Sequence, residues 1–144
     1  MRKMKVSIKS IICKDDTVLM LKDQKGNWEL PGGGMEVGEH PEETLKRELN
    51  EELGIEDMNV GDLVGVWDFC NVSKEDISQH LIITYECSIN FSKLNLSSEH
   101  LEMEWISLDR INEFQMRDGY RETIKKFSNR RKENESGGIR GISN

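Results

Sequence analysis

The stretch that decides the fold of this chain runs from Gly33 to Ile55 and reads GGMEVGEHPEETLKRELNEELGI. Leucines recur in it every four residues, at Leu45, Leu49 and Leu53. This spacing predicts one apolar face of an α-helix. Pro41 suits the first turn of that helix, and Gly54 suits its end. The stretch therefore predicts a loop, a helix and a second loop.

Acidic residues are concentrated in and around this predicted helix. They are Glu36, Glu39, Glu42, Glu43, Glu48, Glu51, Glu52 and Glu56. A solvated surface helix would explain Glu42 and Glu43, because acids in a first turn complement the helix dipole. It does not explain Glu51 and Glu52, because a negative charge in the last turn costs about 0.3–1 kcal/mol. Since Glu48 and Glu52 also repel each other at i,i+4, we interpret the later acids as part of a functional site.

Three of these carboxylates share one edge of the helix. At about 100° per residue, Glu48, Glu51 and Glu52 fall within an arc of roughly 100° beside the leucine stripe. Clustered carboxylate oxygens suit Mg²⁺ or Mn²⁺ better than zinc. The glycines at positions 32–34 add backbone that can approach a phosphate or offer a carbonyl to a metal. From the helix dipole alone, neutralising Glu52 is expected to stabilise the metal-free protein slightly.

The spacing of the stretch resembles the Nudix box, a pattern of 23 residues. It has Gly33, five residues, Glu39, seven residues, Arg47-Glu48-Leu49, one residue, Glu51-Glu52, one residue, and Gly54-Ile55. The lead-in from Trp28 to Gly33 is similar to the family's as well. Nine specified positions at fixed spacing make the resemblance specific, although the box covers only about a sixth of the chain.

The resemblance implies the α/β fold class, as an α/β/α sandwich with a mixed sheet and a loop–helix–loop catalytic motif. It also implies that Glu48, Glu51 and Glu52 bind the metal, together with the backbone carbonyl of Gly32. The implied cofactor is Mg²⁺ (or Mn²⁺), and the implied reaction is attack of water on phosphorus in a pyrophosphate linkage.

Two further residues of the box have a supporting role by the same resemblance. Arg47 and Glu39 would pair and brace the loop against the helix. One position departs from the family, because His40 stands where Ser or Thr often caps the helix. Histidine caps a helix poorly, so this departure should lower stability and leave activity unchanged.

A later glutamate faces the metals in many members of the family. Glu104-Trp105 marks the corresponding place here, with Glu99 as the first candidate and Glu102 as the second. A surface loop explains both acids equally well. We expect Glu48, and after it Glu99, to act as the general base that takes the proton of the attacking water.

Substrate choice depends on residues outside the box. The proline of ADP-ribose hydrolases and the tyrosine of diadenosine polyphosphate hydrolases are missing at the expected distance after it. A nucleoside triphosphate or modified nucleotide is therefore the predicted substrate, and ADP-ribose or a nucleotide sugar the alternative. A catalytically silent nucleotide-binding module is the alternative from another class. Trp28 could stack on a base, with Trp67 or Phe69 as alternatives, although aromatic residues in strands are usually core.

Composition restricts the partners and the location of the protein. With 144 residues and a net charge of −7, the chain fits one acidic domain that is unsuited to binding nucleic acid. No apolar run approaches the roughly 20 residues that cross a bilayer, so no membrane association is expected. Three widely spaced cysteines indicate a reduced, cytoplasmic protein. A homodimer is left open.

The remaining sequence predicts a sheet covered by helices. Residues 1–127 are expected to form the single domain, and residues 128–144 a polar tail outside its core. The predicted strands are Lys5 to Cys13, Val18 to Leu21, Trp28 to Leu30, Val60 to Phe69, His80 to Asn90, and Met103 to Ile106. The predicted helices are Pro41 to Leu53, Asp109 to Glu113, and Asp118 to Phe127.

Overall fold

The structure is a computed structural model that describes residues 2–90, 94 and 102–143, with the backbone alone for residue 2 and residues 136–143. The chain forms, in order, β1 (Arg2–Lys14), β2 (Thr17–Lys22), β3 (Trp28–Glu29), β4 (Gly32–Gly34), α1 (Pro41–Leu53), β5 (Met58–Val72), β6 (Ile77–Ile89), β7 (Glu102–Ser107), a short 3-10 helix (Leu108–Glu113) and α2 (Asp118–Ser143). Each predicted strand and helix has a counterpart among these elements.

The strands form one mixed sheet. Its order is β3-β2-β1-β6-β5, with β4 paired to β1 and β7 paired to β2. The pairing of β1 with β6 is parallel, from Arg2↔Ile77 to Ile12↔Cys87. The other pairs are antiparallel. Strands β1 and β2 form a hairpin that turns at Asp15, whose φ of 55° lies in the left-handed region.

Both faces of the sheet are covered, because β1 is apolar on its two sides. Ile8 and Ile12 pack with the three leucines of α1. Ile11 points to the opposite face and packs with Tyr120 and Ile124 of α2. Alternating side chains along a strand lie on opposite faces, so one strand contributes to both cores. The protein is therefore an α/β/α sandwich, as predicted.

The glycine run that precedes α1 forms a short strand, β4, which is not among the strands predicted from the sequence. Residues Gly32 to Gly34 pair antiparallel with Ser7 to Lys9 of β1. Gly32 has a φ of 137°, and a Cβ there would overlap the carbonyl oxygen of Ile8. Only a residue without a side chain can bring the backbone this close to β1.

Helix α2 continues to Ser143, so the predicted end at Phe127 was wrong. The segment beyond Phe127 lacks an apolar period, but polar contacts hold its first turns against the domain. Arg130 Nη1 donates to the carbonyl of Leu63 at 3.1 Å, and Arg131 lies 4.0 Å from Asp16. No helix in the described part of the chain is long and apolar enough to cross a membrane.

Replacing Gly32 by Ala should destabilise the protein by at least about 2 kcal/mol, because the left-handed backbone and the contact with Ile8 both oppose a methyl group. Gly34→Ala is the matched control, since a Cβ at Gly34 meets no atom within 4 Å. Its free energy of unfolding should change by less than about 0.5 kcal/mol. Urea unfolding of the metal-free proteins measures both, and equal effects would contradict this account of β4.

Candidate active site

The helix that carries the predicted metal ligands is well defined at both ends. At its C-terminus, Gly54 is left-handed with a φ of 67°, and its N–H donates to the carbonyl of Asn50 at 2.9 Å. At its N-terminus, the backbone N–H of His40 donates to Glu43 Oε1 at 2.9 Å. This bond supplies one half of a capping box. The first-turn acid therefore supports the start of the helix despite the weak capping residue.

Arg47 connects the loop before α1 to the helix. Its Nε and Nη2 atoms donate to the two carboxylate oxygens of Glu39 at 2.7 and 3.0 Å. Nη2 also donates to the carbonyl of Gly34 at 2.8 Å. On the other side, Nη1 donates to Glu48 Oε1 at 2.8 Å and lies 3.6 Å from Glu51 Oε2. The pair of Arg47 and Glu39 is therefore present, and the same guanidinium offsets the charge of two predicted ligands.

The glycine strand β4 positions the other side of the carboxylate cluster. The carboxyl group of Glu48 lies against Gly33, where a Cβ would overlap it. Glu52 is only 4% exposed, and its Oε1 accepts a hydrogen bond from the N–H of Gly32 at 2.8 Å. Glu51 remains the most accessible of the three, with 59% of its side chain exposed. Two of the three predicted ligands are thus fixed by contacts with glycine backbone.

A buried lysine that the sequence did not single out lies beside this cluster. Lys9 is 6% exposed, and its Nζ donates to the carbonyl of Gly32 at 3.2 Å and lies 4.0 Å from Glu29 Oε1. Burial acts to lower the pKa of Lys9, but Tyr120, Glu29 and Glu52 outweigh it and raise that pKa. Lys9 therefore carries its charge at neutral pH.

The surroundings of Glu52 reverse the expectation based on the helix dipole. Its carboxylate is buried and hydrogen-bonded, and it interacts electrostatically with Lys9. Neutralising Glu52 would leave the charge of Lys9 less compensated in a buried place, which is costly. We therefore expect Glu52→Gln to destabilise the metal-free protein, because these tertiary contacts are stronger than a last-turn dipole effect.

The donor set of the site fits a divalent cation. Glu48, Glu51, Glu52 and the carbonyl of Gly32 are hard oxygen donors, which Mg²⁺ and Mn²⁺ prefer. Gly33 leaves room for one of these carboxylates. In the described part of the chain, no three acidic, histidine or cysteine side chains already converge on one point. Arg47 and the N–H of Gly32 hold two of the carboxylates instead.

The aromatic residues predicted to contact a base lie on the α2 face of the sheet. Trp28 and Phe69 line a groove of about 400 Å³ together with Glu29, Arg117 and Tyr120. Trp67 packs beside them in the core, and its ring centroid lies 5.5 Å from that of Phe69 and 4.9 Å from that of Tyr120. The three predicted aromatic residues therefore form one cluster, and two of them face the groove.

Arg117 belongs to this groove, although sequence reasoning missed it. Its guanidinium carbon lies 3.7 Å from the centroid of the Phe69 ring. The Phe69 ring also stacks on His80, with centroids 4.5 Å apart. His80 in turn lines a wider groove of about 760 Å³ beside the loop of Glu36 and Glu39. The sequence does not indicate this position for Arg117, because the residue is far along the chain from both the box and Phe69.

Of the two candidates for a catalytic glutamate outside the box, the structure describes only Glu102. Glu99 lies outside the described residues, so its role stays a prediction. Glu102 begins β7, where its carboxylate lies 3.6 Å from Lys22 Nζ. That position gives Glu102 a structural partner on β2, the neighbouring strand.

The ion pair at Glu39 should make stability depend on pH. Hydrogen bonds from Arg47 and from the backbone of Glu36 hold the pKa of Glu39 at about 2, below its usual 4.5. A lowered folded-state pKa stabilises the protein above pH 4.5, and this contribution disappears as the pH falls towards 2. Glu39→Gln should therefore be less stable than the wild type at pH 7, with a difference that shrinks below pH 4.5.

Thermal unfolding at pH 7, 5 and 3 measures this difference. Glu42→Gln is the control on the same helix, because Glu42 is exposed and lies 3.8 Å from Lys46. Its effect should be small at every pH, since exposed ion pairs contribute little. A difference between Glu39→Gln and wild type that stays constant with pH would exclude the carboxylate charge as its source.

Comparison with known proteins agrees with the box and the fold. The family model of the NUDIX domain matches residues 3–127. A MutT-like protein of Streptomyces ambofaciens is 30% identical over 110 residues, which cover 75% of this chain and 67% of the relative. The nucleoside triphosphatase NudI of Escherichia coli is 27% identical over 107 residues, covering 69% and 75%.

Solved structures give the same result. The MutT protein from Methanosarcina mazei Go1 superimposes with a TM-score of 0.77 at 26% identity, covering 91% of this chain and 97% of that protein. The dihydroneopterin triphosphate pyrophosphohydrolase of E. coli has a TM-score of 0.72 over 85% and 93%, and at 21% identity it supports the fold alone. The box, the sandwich and the family match lead to one conclusion: this chain belongs to the Nudix family and is a Nudix-type pyrophosphohydrolase.

Proposed function

We propose that this enzyme hydrolyses a pyrophosphate bond in a nucleoside triphosphate or modified nucleotide, with Mg²⁺ or Mn²⁺ as its cofactor. The main support for this proposal is that a continuous series of contacts connects the carboxylates of α1 with the aromatic groove. Gly32 contacts Glu52 and Lys9, and Lys9 lies beside Glu29, which lines the groove. Relatives named MutT-like protein and nucleoside triphosphatase support this substrate class.

In this proposal the phosphates bind at the junction of β4 and α1. Glu48, Glu51, Glu52 and the carbonyl of Gly32 would hold the divalent cation. When bound, the cation neutralises phosphate oxygens and lowers the pKa of a coordinated water. Arg47 keeps the loop against α1 through Glu39 and Gly34, so that the donors stay in position.

Glu48 is the proposed general base. Its side chain is 17% exposed, and Arg47 Nη1 holds one carboxylate oxygen at 2.8 Å. A carboxylate oxygen held beside the proposed cation can accept a proton from water. Glu99 remains the second candidate for this role.

The aromatic groove is the proposed site of the base. Trp28, Phe69 and Tyr120 supply flat apolar surfaces, while Glu29 and Arg117 supply a hydrogen-bond acceptor and donors. Aromatic faces bind planar heterocycles well, and a few polar groups set their orientation. The wider groove beside Glu36 and Glu39 includes His80 but no Phe, Trp or Tyr side chain, so we assign it no base.

Substitution of Glu52 tests the proposed metal site. With Mg²⁺ present, Glu52→Gln should lower turnover of nucleoside triphosphates at least about 100-fold, because the cation loses a ligand. Glu43→Gln removes the same charge from the same helix and should keep turnover within about threefold. Glu43→Gln keeps an acceptor for the N–H of His40 and loses only a favourable first-turn charge, so it should lower stability by about 0.3–1 kcal/mol.

The assay for both variants is product release from a panel of nucleoside triphosphates, ADP-ribose and nucleotide sugars, with and without chelator. We expect a nucleoside monophosphate and pyrophosphate as products. Glu52→Gln with more than about a third of normal turnover at saturating Mg²⁺ would rule out α1 as the catalytic helix. Binding without turnover of any compound would favour the silent module.

Substitution of Phe69 tests the proposed base site. Phe69→Leu should raise KM about fivefold or more and change kcat by less than about threefold, because it removes the aromatic ring that contacts Arg117 and forms part of the groove proposed for the base. Val66→Ala is the control on the same strand, because Val66 is 54% exposed. Equal KM values for the wild type and both variants would place the base elsewhere.

A further inference from the structure

Among the residues that the structure describes, Lys9 is the one buried cation, and it lies beside both parts of the proposed site. It lies on β1, where its partners in the sheet are Gly32 of β4 and Thr84 of β6. Its Nζ atom is 3.2 Å from the carbonyl oxygen of Gly32 and 4.0 Å from Glu29 Oε1. It also lies 6.0 Å from the centroid of the Tyr120 ring. No other lysine is buried in the described part of the chain.

The contacts of Lys9 and Glu52 hold the two sides of Gly32. Glu52 Oε1 accepts from the N–H of Gly32 at 2.8 Å, while Lys9 Nζ donates to its carbonyl. Lys9 and Glu52 are also coupled electrostatically. The backbone of Gly32 is thus fixed between a buried anion and a buried cation.

The lysine and the proposed metal share one donor, the carbonyl of Gly32, and both are attracted by a second, the carboxylate of Glu52. The carbonyl of Gly32 and the carboxylate of Glu52 are among the four donors proposed for the divalent cation. In the structure, the ammonium group of Lys9 donates to that carbonyl and lies in the field of that carboxylate. The ammonium group of Lys9 and a cation bound to the same carbonyl would repel each other, and partial burial strengthens such a repulsion.

We propose that Lys9 is a positioning residue that holds the carbonyl of Gly32 and offsets the charge of Glu52 in the metal-free protein, and that it thereby weakens the binding of the divalent cation. The inference rests on the proposed metal site at Gly32, Glu48, Glu51 and Glu52. It assigns to Lys9 an effect on metal affinity, which a purely structural buried lysine would not have.

Neutral substitutions of Lys9 test the proposal in the full-length protein. Lys9→Met removes the charge and the hydrogen bond, whereas Lys9→Gln removes the charge and retains a donor. Lys3→Met is the control, because Lys3 is an exposed residue of the same strand. The readout is the Kd for Mn²⁺, measured by electron paramagnetic resonance without substrate, together with the melting temperature of the metal-free protein.

Both Lys9 variants should bind Mn²⁺ at least about tenfold more tightly than the wild type, and their metal-free forms should melt at a lower temperature. Lys3→Met should match the wild type in both respects. If Lys9→Met does not fold, Lys9→Gln carries the test. An unchanged or weaker Mn²⁺ affinity in the folded Lys9 variants would overturn the role of Lys9.

Glu52→Gln separates this result from failure of the proposed function. If the wild type binds Mn²⁺ and Glu52→Gln does not, the proposed metal site is supported whatever the Lys9 variants show. Wild-type protein that binds no Mn²⁺, or binds it equally well in Glu52→Gln, would overturn the metal site and with it the inference about Lys9.

Discussion

The close approach of Gly32 to the carbonyl of Ile8 is the constraint on which the rest of the site depends. Because no side chain intervenes, β4 can pair with β1 and bring its backbone under the last turns of α1. The N–H of Gly32 then reaches Glu52, and its carbonyl reaches Lys9. The next residue, Gly33, accommodates the carboxyl group of Glu48 for the same reason. Glycine backbone thus positions two of the proposed carboxylate ligands and supplies one further oxygen donor.

Carboxylates at the end of a helix need compensation, and two cations provide it from different sides. Arg47 reaches Glu48 and Glu51 from the helix surface, and it is tied to the loop through Glu39. Lys9 acts on Glu52 from within the sheet. The charges that oppose the helix dipole are therefore stabilised by Arg47 of the same helix and by Lys9 of β1, and such interactions are worth more where they are partly buried.

Strand β1 is the element that joins the two halves of the proposed mechanism. Ile8 packs under α1, on the face that carries the carboxylates, and Lys9 points to the face of α2, where the aromatic groove lies. Adjacent residues of one strand therefore connect the place proposed for the phosphates with the place proposed for the base. In an α/β/α sandwich this is a direct consequence of side-chain alternation on a strand covered on both faces.

The sequence by itself determined the parts of this protein that depend on local spacing. The leucine repeat of α1, its left-handed Gly54 end and the positions of the strands other than β4 follow from residues close together in the chain, and the structure contains them. The pairing of Arg47 with Glu39, which the resemblance to the family implied, is also present. The box also led to the family, because its carboxylates and glycines occur at fixed intervals within 23 residues.

Only the tertiary structure decided which groups from distant segments meet. Lys9 is buried in the folded protein, and no local pattern of the sequence indicates this. The expected gain from neutralising Glu52 changes sign because Gly32 and Lys9 surround its carboxylate. Arg117 joins Phe69 only when α2 packs against β5. Local sequence patterns indicate helix dipoles and the two faces of a strand. Burial and ion pairing depend on how the helices pack on the sheet, and this packing determines which charges surround the site.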